Sequence, residues 1–404
     1  MISNRWSQVK RYLLAIDFVF TGGVVLLISL RRFPSPEKLL CLLVITVLLI
    51  AFLLLERMAL PGVRKKKREK GLQRNVVLLG QQPMRERVYA SIRAHSVVYD
   101  VVGTFSPAEE AEADNARSHR CQGGFDSLLH FLSLHEVHEI YCEYGTVPHQ
   151  QLQQISLEAD RRMIRLRFLF NRPDMMNPVI MNKDAKRIAG FGDFPVLTFR
   201  PEPLQRGFNQ FLKRSLDIVC ALMVIIGIMS WLIPLLALLI KLDSKGPVFF
   251  RQLRSGKNNQ PFLCYKFRSM RVNDLADTTQ ATLNDDRFTR IGRFLRRTSL
   301  DELPQFFNVL RNDMSVVGPR PHMLAHTEKY KRLLDNYMVR HFVKPGITGW
   351  AQVSGFRGET KKLAEMEQRV QHDVHYLENW SFLFDLKIIF RTICLLLKKE
   401  EKAY

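Results

Sequence analysis

Two adjacent carboxylates, Asp301 and Glu302, stand in a stretch otherwise dominated by cations: Arg296 and Arg297 precede them, and Arg320 follows between Pro319 and Pro321. An acidic pair in so basic a setting suits a nucleophile and a metal ligand working on phosphate. A carboxylate approaches phosphorus only when cations and a divalent ion screen the two anions from each other. Upstream, the runs 245–252 and 265–270 set cations among aromatic and apolar residues. Lys266, Arg268, Arg296 and Arg320 cluster around rigid turns and the pair, so they are the candidate phosphate-binding groups. Most of the sixty cations read as solvated charges. Ser299 and Glu302 also fit a capping box, with the helix starting near Asp301 and Pro304 in its first turn. That places Asp301 at a helix N-terminus, where free amides favour an anion. The cap accounts for Glu302 but not for Asp301 or the arginines.

The elements that must position this chemistry begin with apolar runs. Tyr12–Leu30 and Leu39–Leu55 each approach the roughly 20 residues that span a bilayer. Arg5, Lys10 and Arg11 lie before them, and Arg57 and the 64–68 cluster lie after, so a transmembrane hairpin with both ends in the cytoplasm is expected. Ile218–Ile240 is a third uncharged run and contains Pro234. Crossing there would carry the basic C-terminal third outside the cell. A proline inside a helix removes a hydrogen bond and kinks it. A re-entrant segment turning near Pro234 keeps both of its ends on the cytoplasmic side.

Between these pieces, strands alternate with helices: Val76–Gly80, Met84–Ala94, Val97–Phe105, Phe125–Leu134, Val137–Tyr141, Gln150–Met163, Ile164–Phe170 and Pro195–Phe199. That order implies a parallel, doubly wound sheet. Its first turn reads Gly80-Gln81-Gln82-Pro83 and lacks the later glycines of a dinucleotide fingerprint. A Rossmann-like domain without nucleotide, regulatory or assembling in role, is the reading. Phe191–Gln210 serves as linker. The fold class expected is an α/β membrane protein in three parts. Residues 1–60 form a transmembrane helical hairpin and 61–205 the Rossmann-like doubly wound α/β domain. Residues 206–404 form a mixed α/β catalytic domain with a re-entrant membrane helix over 216–241.

Charge and cysteine content narrow the class. Lys and Arg outnumber Asp and Glu by 60 to 39, a net charge of +21. Such a balance attracts polyanions, whether nucleic acid, anionic lipid or phosphorylated substrates. With three apolar runs beside the acidic pair, a lipid phosphate or a nucleotide diphosphate outranks nucleic acid, and no nucleic-acid partner is expected. The six cysteines are scattered with no framework spacing and read as reduced thiols. His135 and His138, and likewise His372 and His375, sit at i,i+3, whereas a zinc-protease helix needs i,i+4.

From about Lys213 to Tyr404 the chain resembles the bacterial sugar transferases, the monotopic polyprenyl-phosphate phosphoglycosyl transferases. The motifs are Lys213-Arg214-x-x-Asp217, Pro234 in the apolar run, Lys245–Phe250, Lys266–Met270, Asp301–Gln305, Gly318–Pro321 and Lys344–Gln352. The resemblance implies that Asp301 attacks the β-phosphate of a UDP-sugar and expels UMP. Undecaprenyl phosphate then takes the sugar phosphate from the aspartyl intermediate. It further implies that Glu302 holds Mg²⁺, that Lys266, Arg268, Arg296 and Arg320 neutralise phosphate, and that Asp373 is a further acidic position of the site. The segment 354–360 and the ending 402–404 resemble glucose-1-phosphate transferases of colanic-acid-like polymers; galactose-1-phosphate transfer and an inactive scaffold are the alternatives. The location implied is the bacterial inner membrane with the catalytic domain facing the cytoplasm. Membrane lipids, a second copy and polysaccharide assembly proteins are candidate partners. Large members usually carry four N-terminal helices, and two are read here.

Overall fold

A computed structural model describes residues 74–95, 99–107, 121–170, 188–191, 194–198, 200–272, 285–358 and 362–397. The expected hairpin over 1–60, the 64–68 cluster, Glu359, Thr360 and residues 402–404 lie outside them. All described residues belong to one compact unit, Leu72–Tyr404.

The first half is a seven-stranded sheet. Its elements are β1 (Arg74–Leu79), α1 (Gln82–His95), β2 (Tyr99–Ser106), β3 (Cys121–Gly124), α2 (Phe125–Leu134), β4 (Glu139–Glu143), α3 (His149–Arg162), β5 (Arg165–Leu169), β6 (Ile188–Phe191) and β7 (Phe194–Thr198). The order is β3-β2-β1-β4-β5-β7-β6. Strands β1 to β5 pair in parallel. In β1 both faces are apolar: Val76 and Leu78 pack with Met84, Val88 and Ile92 of α1, while Val77 and Leu79 pack with α2 and α3. Burial on both faces is the mark of a central parallel strand. The expectation of a purely parallel sheet needs correction at one edge, since β7 pairs antiparallel with both β5 and β6. Only residues 192–193 separate β6 from β7, too short a connection for a parallel crossover.

The second half opens with one long helical rod: α4 (Gly207–Val224), a π-helical segment over Ile225–Met229, and α5 (Ser230–Asp243). It is long and apolar enough to cross a membrane, with mean hydropathy 2.6 over its most apolar stretch and little of that stretch buried. Pro234 does not interrupt the helix. The departure from α geometry lies upstream, over Ile225–Met229, and the flanking residues keep right-handed helical dihedrals. The π segment lies about a turn before Pro234, and an insertion of this kind is by itself a recognised cause of a helix bend. There the Ser230 hydroxyl donates to the Ile226 carbonyl (2.7 Å) and the Trp231 indole to the Gly227 carbonyl (3.0 Å).

The rod anchors the catalytic half through its polar start. Lys213 is buried and donates to the Asp385 carboxylate (2.7 Å) and the Val317 carbonyl (2.8 Å). Arg214 donates to the Val309 and Leu310 carbonyls, and Asp217 accepts from the Ser315 hydroxyl and the Val316 amide. The remaining elements are β8 (Phe249–Ser255), β9 (Pro261–Phe267), α6 (Arg290–Arg297), a 3₁₀ turn (Leu300–Glu302), α7 (Gln305–Leu310), β10 (Ser315–Val317), α8 (Leu324–Leu333), a 3₁₀ helix (Tyr337–Phe342), β11 (Gly346–Thr348), α9 (Trp350–Val353), α10 (Leu363–Asn379) and α11 (Phe382–Leu397). Strands β8 and β9 form an antiparallel ribbon, and β10 pairs with β11 in parallel. Ala221, Cys264, Val309, Met314, Val317, Tyr376 and Ile388 close the core beneath the site.

Candidate active site

The acidic pair rides on the 3₁₀ turn Leu300–Glu302, between α6 and α7. The capping box expected of Ser299 does not form. Ser299 is left-handed (φ 58°) and its side chain caps nothing; its hydroxyl instead accepts from the Arg357 guanidinium (2.5 Å). The α-helix starts only at Gln305, after Pro304, so Asp301 precedes it by a full turn. Cations, not helix amides, therefore hold the pair's charge. A non-glycine residue held at positive φ is uncommon and gathers at sites where geometry matters.

Around the pair the structure brings together three of the four expected cations. Lys266, at the end of β9, donates to Glu302 Oε1 (2.8 Å) and lies 3.8 Å from Asp301 Oδ2. Arg320 forks on Glu302, with Nη2 to Oε1 at 2.7 Å and Nη1 to Oε2 at 3.2 Å. Arg296 donates to the Ser269 hydroxyl (2.9 Å), stacks over Phe288, and adds its field to Asp301. Its placement requires α6 to lie against the 269 region: a Cβ on Gly292 would overlap the Ser269 carbonyl. Arg268 is elsewhere engaged. Its guanidinium donates to the Ile240, Ser244 and Lys245 carbonyls (3.2, 2.6 and 3.0 Å), closing the C-terminus of α5. Lys266 lies within β9 and faces the pair, whereas Arg268 falls one residue past the strand's end at Phe267, where the chain has left the pleat and its side chain turns to the carbonyls after α5.

Asp301 is 5% exposed and Asp373 2%. Asp373 forms a 2.8 Å ion pair with Arg340 rather than joining the acidic pair. Among the residues sequence reading passed over, Arg254 stands out. It is held by Gln252 (2.5 Å), and its field reaches Glu302, Arg320 and Arg296. Burial, with Arg320 and Arg296 adding to it, pulls the Arg254 guanidinium down to about 10. Arg340 carries no local sequence signal either, and Arg357 lies within the 354–360 segment.

The two carboxylates are pushed in opposite directions. Burial drives Asp301 upward, opposed by Lys266 and reinforced by the Glu302 charge. Burial also works against Glu302, but Arg320 and Lys266 overcome it and hold that carboxyl well below the usual range. Carboxylates driven apart in this way are suited to different tasks. Glu302 is a fixed anion inside a cationic fork. Asp301 is the more basic oxygen and makes fewer bonds. Arg254, Lys266, Arg296 and Arg320 outnumber the two carboxylates, so the site has cationic capacity left for an anionic ligand.

This fold and site define a membrane-associated enzyme built to handle a phosphorylated substrate. Residues 208–399 match the bacterial sugar transferase family, and the chain belongs to that family. It is 39% identical over 343 residues to the UDP-glucose:undecaprenyl-phosphate glucose-1-phosphate transferase of Xanthomonas campestris pv. campestris, covering 83% of this chain and 69% of the relative. It is 50% identical over 223 residues to the enzyme of that name from Escherichia coli (strain K12), covering 55% and 47%. A Caulobacter vibrioides (strain ATCC 19089 / CIP 103742 / CB 15) relative, again of that name, is 47% identical over 207 residues, covering 51% and 77%. The chain thus spans about half the length of the Escherichia coli relative.

Proposed function

We propose that this chain transfers glucose-1-phosphate from UDP-glucose to undecaprenyl phosphate, releasing UMP, as a membrane step of exopolysaccharide synthesis. An Asp301 oxygen attacks the β-phosphorus. The bond from β-phosphorus to the bridging oxygen breaks, UMP departs with that oxygen, and an aspartyl phosphosugar remains. A phosphate oxygen of undecaprenyl phosphate then attacks the same phosphorus, freeing the carboxylate and giving undecaprenyl-diphosphate-glucose. Lys266, Arg296, Arg320 and Arg254 carry the phosphate charge, while Glu302 keeps Lys266 and Arg320 in place. The observation that carries the reading is the opposed pair: a buried, more basic Asp301 beside a locked Glu302. Sugar identity rests on the relatives' names and on the 354–358 segment, whose Arg357 reaches Ser299 next to the pair.

Magnesium suits the donor set. Asp301 and Glu302 offer hard oxygens, and this ion is commonly held by one or two carboxylates with substrate phosphates and water completing the shell. Among the described residues no group of three or more His, Cys, Asp or Glu side chains could form an all-protein cage. When bound, the ion supplies charge neutralisation on the diphosphate.

The membrane arrangement is part of the proposal. Leu383, Leu386, Phe390, Ile393 and Leu397 form an exposed stripe along α11. Met223, Ile226, Trp231, Leu235 and Leu238 expose another along the rod. An apolar segment that bends at its π-helical stretch, Ile225–Met229, within one leaflet, with α11 lying on that surface, would keep the site at the cytoplasmic headgroup layer. The test is UMP release from UDP-glucose, UDP-galactose and the N-acetylated UDP-sugars, with Mg²⁺ and undecaprenyl phosphate, wild type beside Asp301→Asn. Release with UDP-glucose, lost in the variant, with a sugar-phosphate adduct on the wild-type peptide containing Asp301, is expected. Silence with every sugar would overturn the enzymatic reading in favour of a scaffold.

A further inference from the structure

The Arg320 guanidinium reaches Glu302 from the loop 318–321. Its backbone is held by hydrogen bonds between Gly318 N and the Thr348 carbonyl (2.8 Å) and between Gly346 N and the Pro319 carbonyl (2.9 Å). A third hold comes from a side chain outside the site: Arg340 Nη2 donates to the Arg320 carbonyl (2.8 Å). Arg340 is 2% exposed, an unusual place for a guanidinium unless a counter-ion compensates its charge. Its other partners are the Asp373 carboxylate (2.8 Å) and His322 Nδ1 (2.8 Å), which also meets the Tyr337 hydroxyl (2.7 Å). Burial, helped by Arg340 and Arg369, keeps His322 well below its ordinary value and so neutral, leaving Nδ1 to accept.

We propose that Arg340 is a positioning residue: clamped by Asp373 and His322, it fixes the main chain of Arg320 and so aims the Arg320 fork at Glu302. This rests on the reading of Asp301 and Glu302 as the reacting pair. It also gives Asp373 a task at one remove, as the counter-ion without which a buried guanidinium cannot be held. A carbonyl grip suits the purpose. Arg320 must keep its side chain available for Glu302 and the incoming phosphate, so only its backbone can be restrained. The hold is the outer-layer kind whose loss commonly costs 10- to 100-fold in activity.

The test is a double-mutant cycle on UMP release with UDP-glucose, using full-length protein: wild type, Arg340→Gln, Arg320→Lys and the double variant. We expect Arg340→Gln to lower kcat/KM about 10- to 100-fold on its own and by less than about threefold in the Arg320→Lys background, because residues acting as one unit are not additive. Equal losses in both backgrounds would overturn the proposal, as would full activity in Arg340→Gln. Where Arg340→Gln does not fold, Asp373→Asn takes its place with the same two criteria, since it loosens the clamp while keeping Arg340. A silent wild type would sink the activity reading and this inference together. Turnover by the wild type with additive losses would sink the inference alone.

Discussion

The molecule carries acids at two turns that invite an anion, and it treats them in opposite ways. In the α/β sheet, β1 and β4 are adjacent, and the turn after β1 leads into α1 at the point where strand order reverses. That is where open α/β sheets bind the phosphates of a nucleotide. Here Glu143, at the end of β4, fills the place. Its Oε2 accepts from the Gln81 amide (2.7 Å), and a Cβ on Gly80 would lie 2.7 Å from the Glu143 side chain. A carboxylate thus answers the amide that a phosphate would have used. In the second half, Asp301 and Glu302 are instead surrounded by Lys266, Arg296, Arg320 and Arg254. One acid closes an anion site; the other pair opens one, because the cations beside it exceed its own charge. Residue type alone does not separate the two, and the partner groups do.

The largest expected effect attacks the open site. Asp301→Asn removes the proposed nucleophile and should abolish turnover, yet it should not cost stability. The carboxylate is pushed upward in the folded state, so its ionised form disfavours folding once pH exceeds that raised value. The variant should melt at the wild-type temperature or above it, the trade-off expected of a reactive group. A clearly lower melting temperature would show that Asp301 is a structural anion like Glu143.

Glu302→Gln comes next. It leaves the half-buried Lys266 and Arg320 facing each other without their shared anion, and like charges so placed repel. We expect activity to fall by about 10²- to 10³-fold, the scale of losing a preorganised electrostatic group, together with a lower melting temperature. Here the sign is opposite to that of Asp301. A carboxyl held below its usual range contributes stability above that range, lost as pH falls through the depressed value. A thermal scan of the two variants side by side distinguishes them: one unchanged or raised, the other lowered.

The pH profile sharpens the same contrast with a smaller effect. In the proposed mechanism turnover needs Asp301 ionised, so kcat/KM should fall on the acid side with a midpoint above the ordinary aspartate value of about 3.9. Lys266 opposes the upward push, so in Lys266→Met the acid limb should move to higher pH. A limb that stays in place would mean that a group other than Asp301 sets it.

How much of this the chain announces depends on how local the signal is. The central strands of the sheet are legible because an apolar run such as Val76–Leu79 must be buried on both faces wherever it sits. The antiparallel edge is not, since strand direction at β7 follows from pairing with β5 and β6 rather than from composition. The acidic pair, Lys266 and Arg320 are legible because each lies in a short run shaped by glycine, proline or an alternating strand. Arg268 looks equivalent to Lys266 in sequence, and only the end of β9 at Phe267 frees it to turn to the carbonyls at the end of α5. Ser299 carries the letters of a capping box but takes a left-handed turn, because its hydroxyl serves Arg357, 58 residues away. Arg340 and Asp373 lie on separate helices, with no period or motif linking them.

The smallest effect is the one that tests the closed site. Glu143→Gln keeps an oxygen able to accept from the Gln81 amide while removing the charge. If the switch point serves only to seal the sheet, UMP release should stay within about twofold of wild type, and the loss of one charge-assisted hydrogen bond should cost about 1 kcal/mol or less. Gly80→Ala should do more harm than Glu143→Gln. Gly80 sits at φ +154°, and the added methyl would press on the Glu143 side chain, so both backbone and packing resist it. Thermal melts of the two variants, beside their UMP release rates, check the ranking. A tenfold drop in turnover for Glu143→Gln with an unchanged melt would mean that charge at the β1–β4 turn reaches the catalytic half. The two acids would then have to be treated as coupled rather than opposite.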